Sequence, residues 1–144
     1  MLIRRNFLNV AVAAIALPIM SRICNAQASQ GGPQLTQLLK ADLEHQGGTV
    51  QETIVNLLEM TPGISASWHM HPGAQEIIFV IDGNLVVEIE GAGSREVTSG
   101  GIVLISAETP HLVRNDTQTS ARALVTHSRA NKEKPFAMVL KRPA

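Results

Sequence analysis

The feature that most limits the fold is a succession of short apolar segments, each ended by Gly, Pro, Asn or Asp. The segments "TIVNLLEM", "SASWHMH", "EIIFVID", "LVVEIEG", "REVTS", "GIVLIS", "HLVRND" and "ARALVTHS" lie between Thr53 and Ser128. Runs of this length, rich in Val, Ile and Leu, read as strands. Eight of them in about 80 residues leave no room for the crossover helices that parallel strands require. The expectation is an all-β chain, an antiparallel β-barrel or jelly roll. "DGN" at Asp82 to Asn84 predicts a hairpin between two strands, and "GAGS" at Gly91 to Ser94 predicts another.

The sequence ahead of these segments has a different texture. Residues 1–28 begin with Arg4 and Arg5 followed by Phe7 and Leu8, continue through an apolar run from Val10 to Met20, and end on Ala26-Gln27-Ala28. This is the layout of an export signal with a twin-arginine-like start. The apolar run is about half of the roughly 20 residues that a spanning helix needs, and Pro18 interrupts it. The expectation is cleavage after Ala28, a periplasmic or secreted mature chain, and no stable membrane span after processing. Residues 29–48 then form an N-terminal lead, and residues 49–144 the barrel. Within the lead, Leu35, Leu38, Leu39 and Leu43 are at helix-like spacing after Pro33, which predicts one short N-terminal helix. The same spacing suits a short apolar segment lying across a barrel.

Removing residues 1–28 takes Arg4, Arg5 and Arg22 away and moves the formal charge from 0 to −3. A mildly acidic chain does not suit nucleic acid, whose phosphates are gripped by clustered Lys and Arg. The same cut removes Cys24, the one cysteine, so any metal in the mature chain is held by nitrogen and oxygen.

Those donors are concentrated in "HMHPGAQE". Residues two apart on a strand share a face, so His69 and His71 project together while Met70 points away. The turn that follows brings Glu76, at the start of the next strand, toward the same point. His111, after Pro110 at the start of a later strand, supplies a fourth donor. A buried carboxylate costs several kcal/mol unless a cation compensates it, and a metal shared with imidazoles does so.

The spacing resembles that of the cupin superfamily. Gly63, His69, His71, Glu76 and Gly83 match its first motif, and Gly100, His111 and Asn115 match its second, where Ser106 and Glu108 replace a proline and a glycine. The resemblance implies a single-domain β-barrel that holds one divalent metal through His69, His71, Glu76 and His111, and a homodimer. "HMHPGAQE" is similar to the corresponding stretch of germins, secreted manganese cupins. The chain is shorter than theirs and lacks their cysteine pair, so the site carries over and oxalate oxidation does not. In size it is closer to small bacterial cupins of the conserved-barrel type.

Three imidazoles and a carboxylate suit Mn, Fe, Ni, Co, Cu or Zn and leave coordination positions open for water, oxygen or a bidentate substrate. With no tyrosine in the chain, a general base is metal-bound hydroxide, Glu76, His127 or Glu108. The mature aromatics are Trp68, Phe79 and Phe136, too few to stack a large flat ligand, which favours a small polar or carboxylate substrate. Two function classes stay open. One is a metal-dependent enzyme, an oxygenase or oxidase, or an isomerase or lyase. The other is a non-catalytic small-molecule or metal binder of the cell envelope. His127, in phase with Ala123 and Val125, reads either as an interior proton shuttle or as a packed or rim histidine. Gln75 points away from the metal by strand parity, His45 lies in a polar stretch, Arg114 and Glu108 flank His111, and Arg129 to Pro135 reads as a charged surface turn.

Overall fold

A computed structural model describes residues 31–44 and 47–143. Its ten strands are β1 (Gln34–Asp42), β2 (Glu52–Met60), β3 (His69–Met70), β4 (Ala74–Asp82), β5 (Asn84–Ile89), β6 (Gly93–Thr98), β7 (Ile102–Ile105), β8 (His111–Arg114), β9 (Ala121–Arg129) and β10 (Met138–Val139). They form two five-stranded sheets in the orders β1-β2-β9-β4-β7 and β10-β3-β8-β5-β6. Every pairing is antiparallel. The all-β jelly roll expected from the strand pattern is therefore the fold. The expected export signal of residues 1–28 and His45 lie outside the described residues.

The predicted N-terminal helix is instead β1, paired along its length with β2. A helix this short is marginal on its own, whereas pairing satisfies its backbone groups and covers the β2 edge. The misleading leucine spacing comes from a register shift between Gln37 and Leu39. Leu35 lies opposite the core residue Leu58, but Leu39 lies opposite Val55 on the other face. An irregularity of this kind breaks the two-residue alternation, so the leucines follow no strand-like period.

"GAGS" closes the β5–β6 hairpin, where Ile89 lies opposite Gly93. The "DGN" turn joins β4 and β5 but makes no hairpin: β4 pairs with β7 and β9, and β5 with β6 and β8. A tight turn can fold a strand back on its neighbour or carry the chain across to the facing sheet, and here it crosses. Gly83 has φ 76° at this point, and a Cβ there would lie 2.7 Å from Ser120 O and 2.8 Å from Ala121 Cα. Only glycine fits.

Alternate residues of both sheets meet inside. Leu58 and Met60, Ile78 and Val80, Val103 and Ile105, and Ala121, Ala123 and Val125 come from one sheet, and Leu85, Val87, Val97 and Val113 from the other. Burying each larger side chain contributes about 1.5–3 kcal/mol. At one end of this core Asn115 is fully enclosed, donating to Met60 O and Thr119 O and accepting from Thr117 N and Oγ1. Toward the other end the inner face turns polar. The β4–β9 pairs run Val80–Ala123, Ile78–Val125, Glu76–His127 and Ala74–Arg129. Arg129 opens the predicted surface turn, yet it is buried in an ion pair with Glu52. Its guanidinium also donates to Lys132 O and Lys134 O, holding the C-terminal segment against the barrel.

Candidate metal centre

The two sheets face each other across the site. His69 on β3 and His111 on β8 are register partners in one sheet, and Glu76 on β4 belongs to the other. The turn after His71, with Gly73 at φ 71°, therefore carries the chain between sheets and does not lay β4 beside β3. The expected meeting of His69, His71, Glu76 and His111 still occurs: one donor atom from each lies within 4.8 Å of the others. His111, Glu76 and His71 are only 1%, 4% and 5% exposed, while His69 sits at the half-buried rim.

Glu76 Oε2 is 2.9 Å from His111 Nε2 and 3.1 Å from His71 Nε2. Donors about 2.1 Å from a common ion lie roughly 3–4 Å from one another, so the spacings of Glu76 to His111 and His71 suit one metal ion, with His69 at the rim a short shift away. The outer nitrogens are fixed as well. His69 Nδ1 lies 2.7 Å from Ser67 O, His71 Nδ1 2.7 Å from Phe136 O, and His111 Nδ1 2.9 Å from Thr109 O. A carbonyl only accepts, so each Nδ1 carries the proton and each neutral ring turns an Nε2 lone pair inward. Glu76 Oε2 and His111 Nε2 are then two acceptors in close contact. Both are buried and neither has a hydrogen-bond partner. Such a pair needs a cation between its members, and the residues present fit a divalent metal.

In the ion's place, protons satisfy the same electrostatics. Burial opposes ionisation of Glu76, but contacts with His111, His127 and His71 hold its carboxyl well below the usual range. Burial lowers His111, and the Glu76 carboxylate outweighs it, so His111 ends above the ordinary imidazole value. Burial, followed by the neighbouring His111 and His71 charges, pushes His69 down. Protons and metal thus compete for one set of lone pairs.

His127 faces the interior and is 3% exposed. Its Nε2 lies 3.2 Å from His71 Nε2 and 3.6 Å from Glu76 Oε2, and its ring packs on Phe136 with centroids 4.7 Å apart. Strand phase had left it between interior and rim. Glu108 is not brought to the site. It is exposed, accepts from Gly73 N at 2.9 Å and pairs with Lys134. Gln75 points outward, and Arg114 is engaged by Glu88 and Asp116. In the sequence Phe136 is marked only by its aromatic ring. Its carbonyl orients His71, a contact spanning 65 residues that local patterning does not reveal. A cavity of about 90 Å³ opens against His69, His71, Glu76, His127 and Phe136, with Leu35 at its edge.

Two antiparallel sheets enclosing three histidines and a glutamate define a small jelly roll with a candidate metal centre. The Cupin domain family matches residues 56–127, half of the chain, and the chain belongs to that family. No curated protein matches it. Among solved structures, it is similar to an oxalate oxidase in complex with the substrate analogue glycolate. Identity there is 27%, the TM-score is 0.61, and 78% of this chain covers 57% of that one, a little over half its length. A cupin sugar phosphate isomerase from Silicibacter pomeroyi is 25% identical, with TM-score 0.54 and coverage of 68% of this chain and 60% of that one. A conserved protein with a double-stranded beta-helix domain from Klebsiella pneumoniae shares 17% identity and shows the fold, with TM-score 0.64 and coverage of 79% and 89%.

Proposed function

We propose that the chain is an exported metal-binding cupin that acts as a metal-dependent enzyme on a small, polar or carboxylate-bearing substrate. The observation that carries the reading is the contact between Glu76 Oε2 and His111 Nε2, two buried acceptors with no hydrogen-bond partner. His69, His71, Glu76 and His111 would hold one divalent ion, from the group Mn, Fe, Ni, Co, Cu and Zn. That ion supplies Lewis acidity and, where it is redox-active, electron transfer. The chain's own groups supply the rest. Phe136 and Val125 give the cavity an apolar wall, with Leu35 at its exposed edge. Glu76 and His127 are the buried titratable groups positioned to hold or move a proton beside the substrate.

The size of the cavity supports a small ligand, since about 90 Å³ is well below the roughly 300–1,000 Å³ of pockets for drug-sized ligands. The bound glycolate of the oxalate oxidase neighbour supports a two-carbon acid as a first probe. Metal analysis of protein recovered from the periplasm should find about one equivalent per chain, and His71→Ala should remove most of it. Unchanged content in that variant would sink the site. Oxygen uptake or product formation with a panel of small hydroxy and keto acids would support the enzyme. Tight binding without turnover would replace it with a non-catalytic binder.

Homodimer formation belongs to the same proposal. The outer face of the β1-containing sheet carries an apolar row, Leu57-Leu124-Phe79-Ile102, and a second row, Val55-Thr126-Ile77-Leu104, broken by one threonine, and Leu39 lies opposite Val55. Leu39, Phe79, Ile102 and Leu104 are exposed. A second copy of this face would cover them.

A further inference from the structure

We infer that His127 carries its proton on Nε2, the reverse of the three ligand histidines, and offers that N–H to an oxygen of the small anion that enters the cavity. It is a substrate-binding donor and not a fifth metal ligand. The inference rests on the proposed metal centre and assigns the group that meets the ligand there.

The argument begins with the nitrogen that faces away. His127 Nδ1 is buried and has no hydrogen-bond partner. An orphaned buried N–H is rarer and more costly than an under-used acceptor, so the neutral ring leaves Nδ1 bare and protonates Nε2. The inward side agrees. Nε2 lies 3.2 Å from His71 Nε2 and 3.6 Å from Glu76 Oε2. His71 Nε2 is a lone pair, because its Nδ1 proton goes to Phe136 O. Both neighbours accept, and the His127 proton is the one available to them.

Metal binding changes that balance. His71 Nε2 and Glu76 then commit their lone pairs to the ion, and the His127 N–H loses its acceptor while it stays buried. The ring cannot easily swing out of the way. Residue 127 is locked in register between Glu76 on β4 and Ile54 on β2, and Phe136 packs against the ring. A buried N–H facing a cavity beside a cation calls for an anionic oxygen. Ligation by His127 would instead need the lone pair on Nε2 and would strand a proton on Nδ1. The cluster of mutually close donor atoms contains the other three histidines and Glu76 and does not include His127.

Two measurements test this. Long-range proton–nitrogen NMR of the metal-free protein should show the Nε2–H tautomer for His127 and the Nδ1–H tautomer for His69 and His71. Calorimetry of the zinc-loaded protein should show glycolate binding. His127→Leu should keep its equivalent of zinc and weaken glycolate roughly tenfold or more, and His127→Gln, whose amide restores an N–H, should recover most of the loss. An Nδ1–H tautomer at His127 overturns the inference. So does undiminished glycolate affinity in His127→Leu, loss of zinc from that variant, or a parent that holds zinc and ignores glycolate. A parent that takes up no zinc overturns the metal centre separately, and the NMR tautomer of the metal-free protein still decides the placement of the proton.

Discussion

Glu108 occupies a position where the cupin motif has glycine, and it keeps the backbone that glycine would have, with φ 62°. It is the one residue other than glycine in that region among the described residues. A side chain there is strained, and the strain is offset locally: the carboxylate accepts from Gly73 N and pairs with Lys134, which together hold it below the ordinary carboxylate value. The loop after β7 is thereby tied to the turn that follows His71. Glu108→Ala should keep the strain and lose both contacts, whereas Glu108→Gly should lose the contacts and the strain together. Thermal melts should therefore rank alanine below glycine, and the reverse order would mean that the backbone is not strained. At this scale most of the site was legible. His69, His71 and Glu76 fall within eight residues, and two-residue alternation alone aims the histidines together. The inward facing of His127 was open, because the phase of β9 is set by pairing with β4 about 50 residues earlier. The Phe136 carbonyl was invisible, since any residue carries one.

At the scale of elements, β2, β9 and the C-terminal segment are joined by one buried group. Glu52 pairs with Arg129 across the β2–β9 ladder and with Lys40 from β1. Burial works against the Glu52 carboxylate, but Lys40 and Arg129 prevail and lower its pKa. A carboxyl lowered in the folded state stabilises fully above its unfolded value of about 4.3, and the contribution fades as pH falls through the folded value. Denaturant titrations of the metal-free protein should show stability falling with acid below about pH 4. Glu52→Gln should lower stability at neutral pH by roughly 3 kcal/mol, the usual cost of stranding one member of a buried pair, and should flatten the acid limb. A variant with the parent's acid limb would assign that limb to other groups. The strand pattern made β2 to β9 legible as elements, β3 only as two residues of a longer expected strand, and it left β10 and two further features hidden. The bulge in β1 disguised a strand as a helix, and the "DGN" turn gave no local sign that it leads to the facing sheet.

For the whole molecule, the feature that bears on association is an outer sheet face. The sheet that contains β4 and β7 shows apolar rows to the outside, with Ile102 and Leu104 each 58% exposed. Patches of this kind on a small protein mark association surfaces. Light scattering of the parent should give a mass of two chains, and Leu104→Lys should shift it to one without changing metal content, because residue 104 faces away from the site. A parent mass of one chain would remove the dimer from the proposal.

At the proposed metal centre the Phe136 carbonyl would give the C-terminal segment a share in how long an ion stays bound. Ser67 and Thr109, the other two carbonyl partners, lie in loops that join strands inside the sandwich, but Phe136 lies beyond β9 in a segment held by Arg129 and by the short β3–β10 pairing. Peeling that segment away would leave the apolar core standing and set the His71 ring free to turn. Residence time of the metal and melting temperature are therefore separable properties here. A clip or a bulky fusion near the C-terminus would shorten the first and barely alter the second.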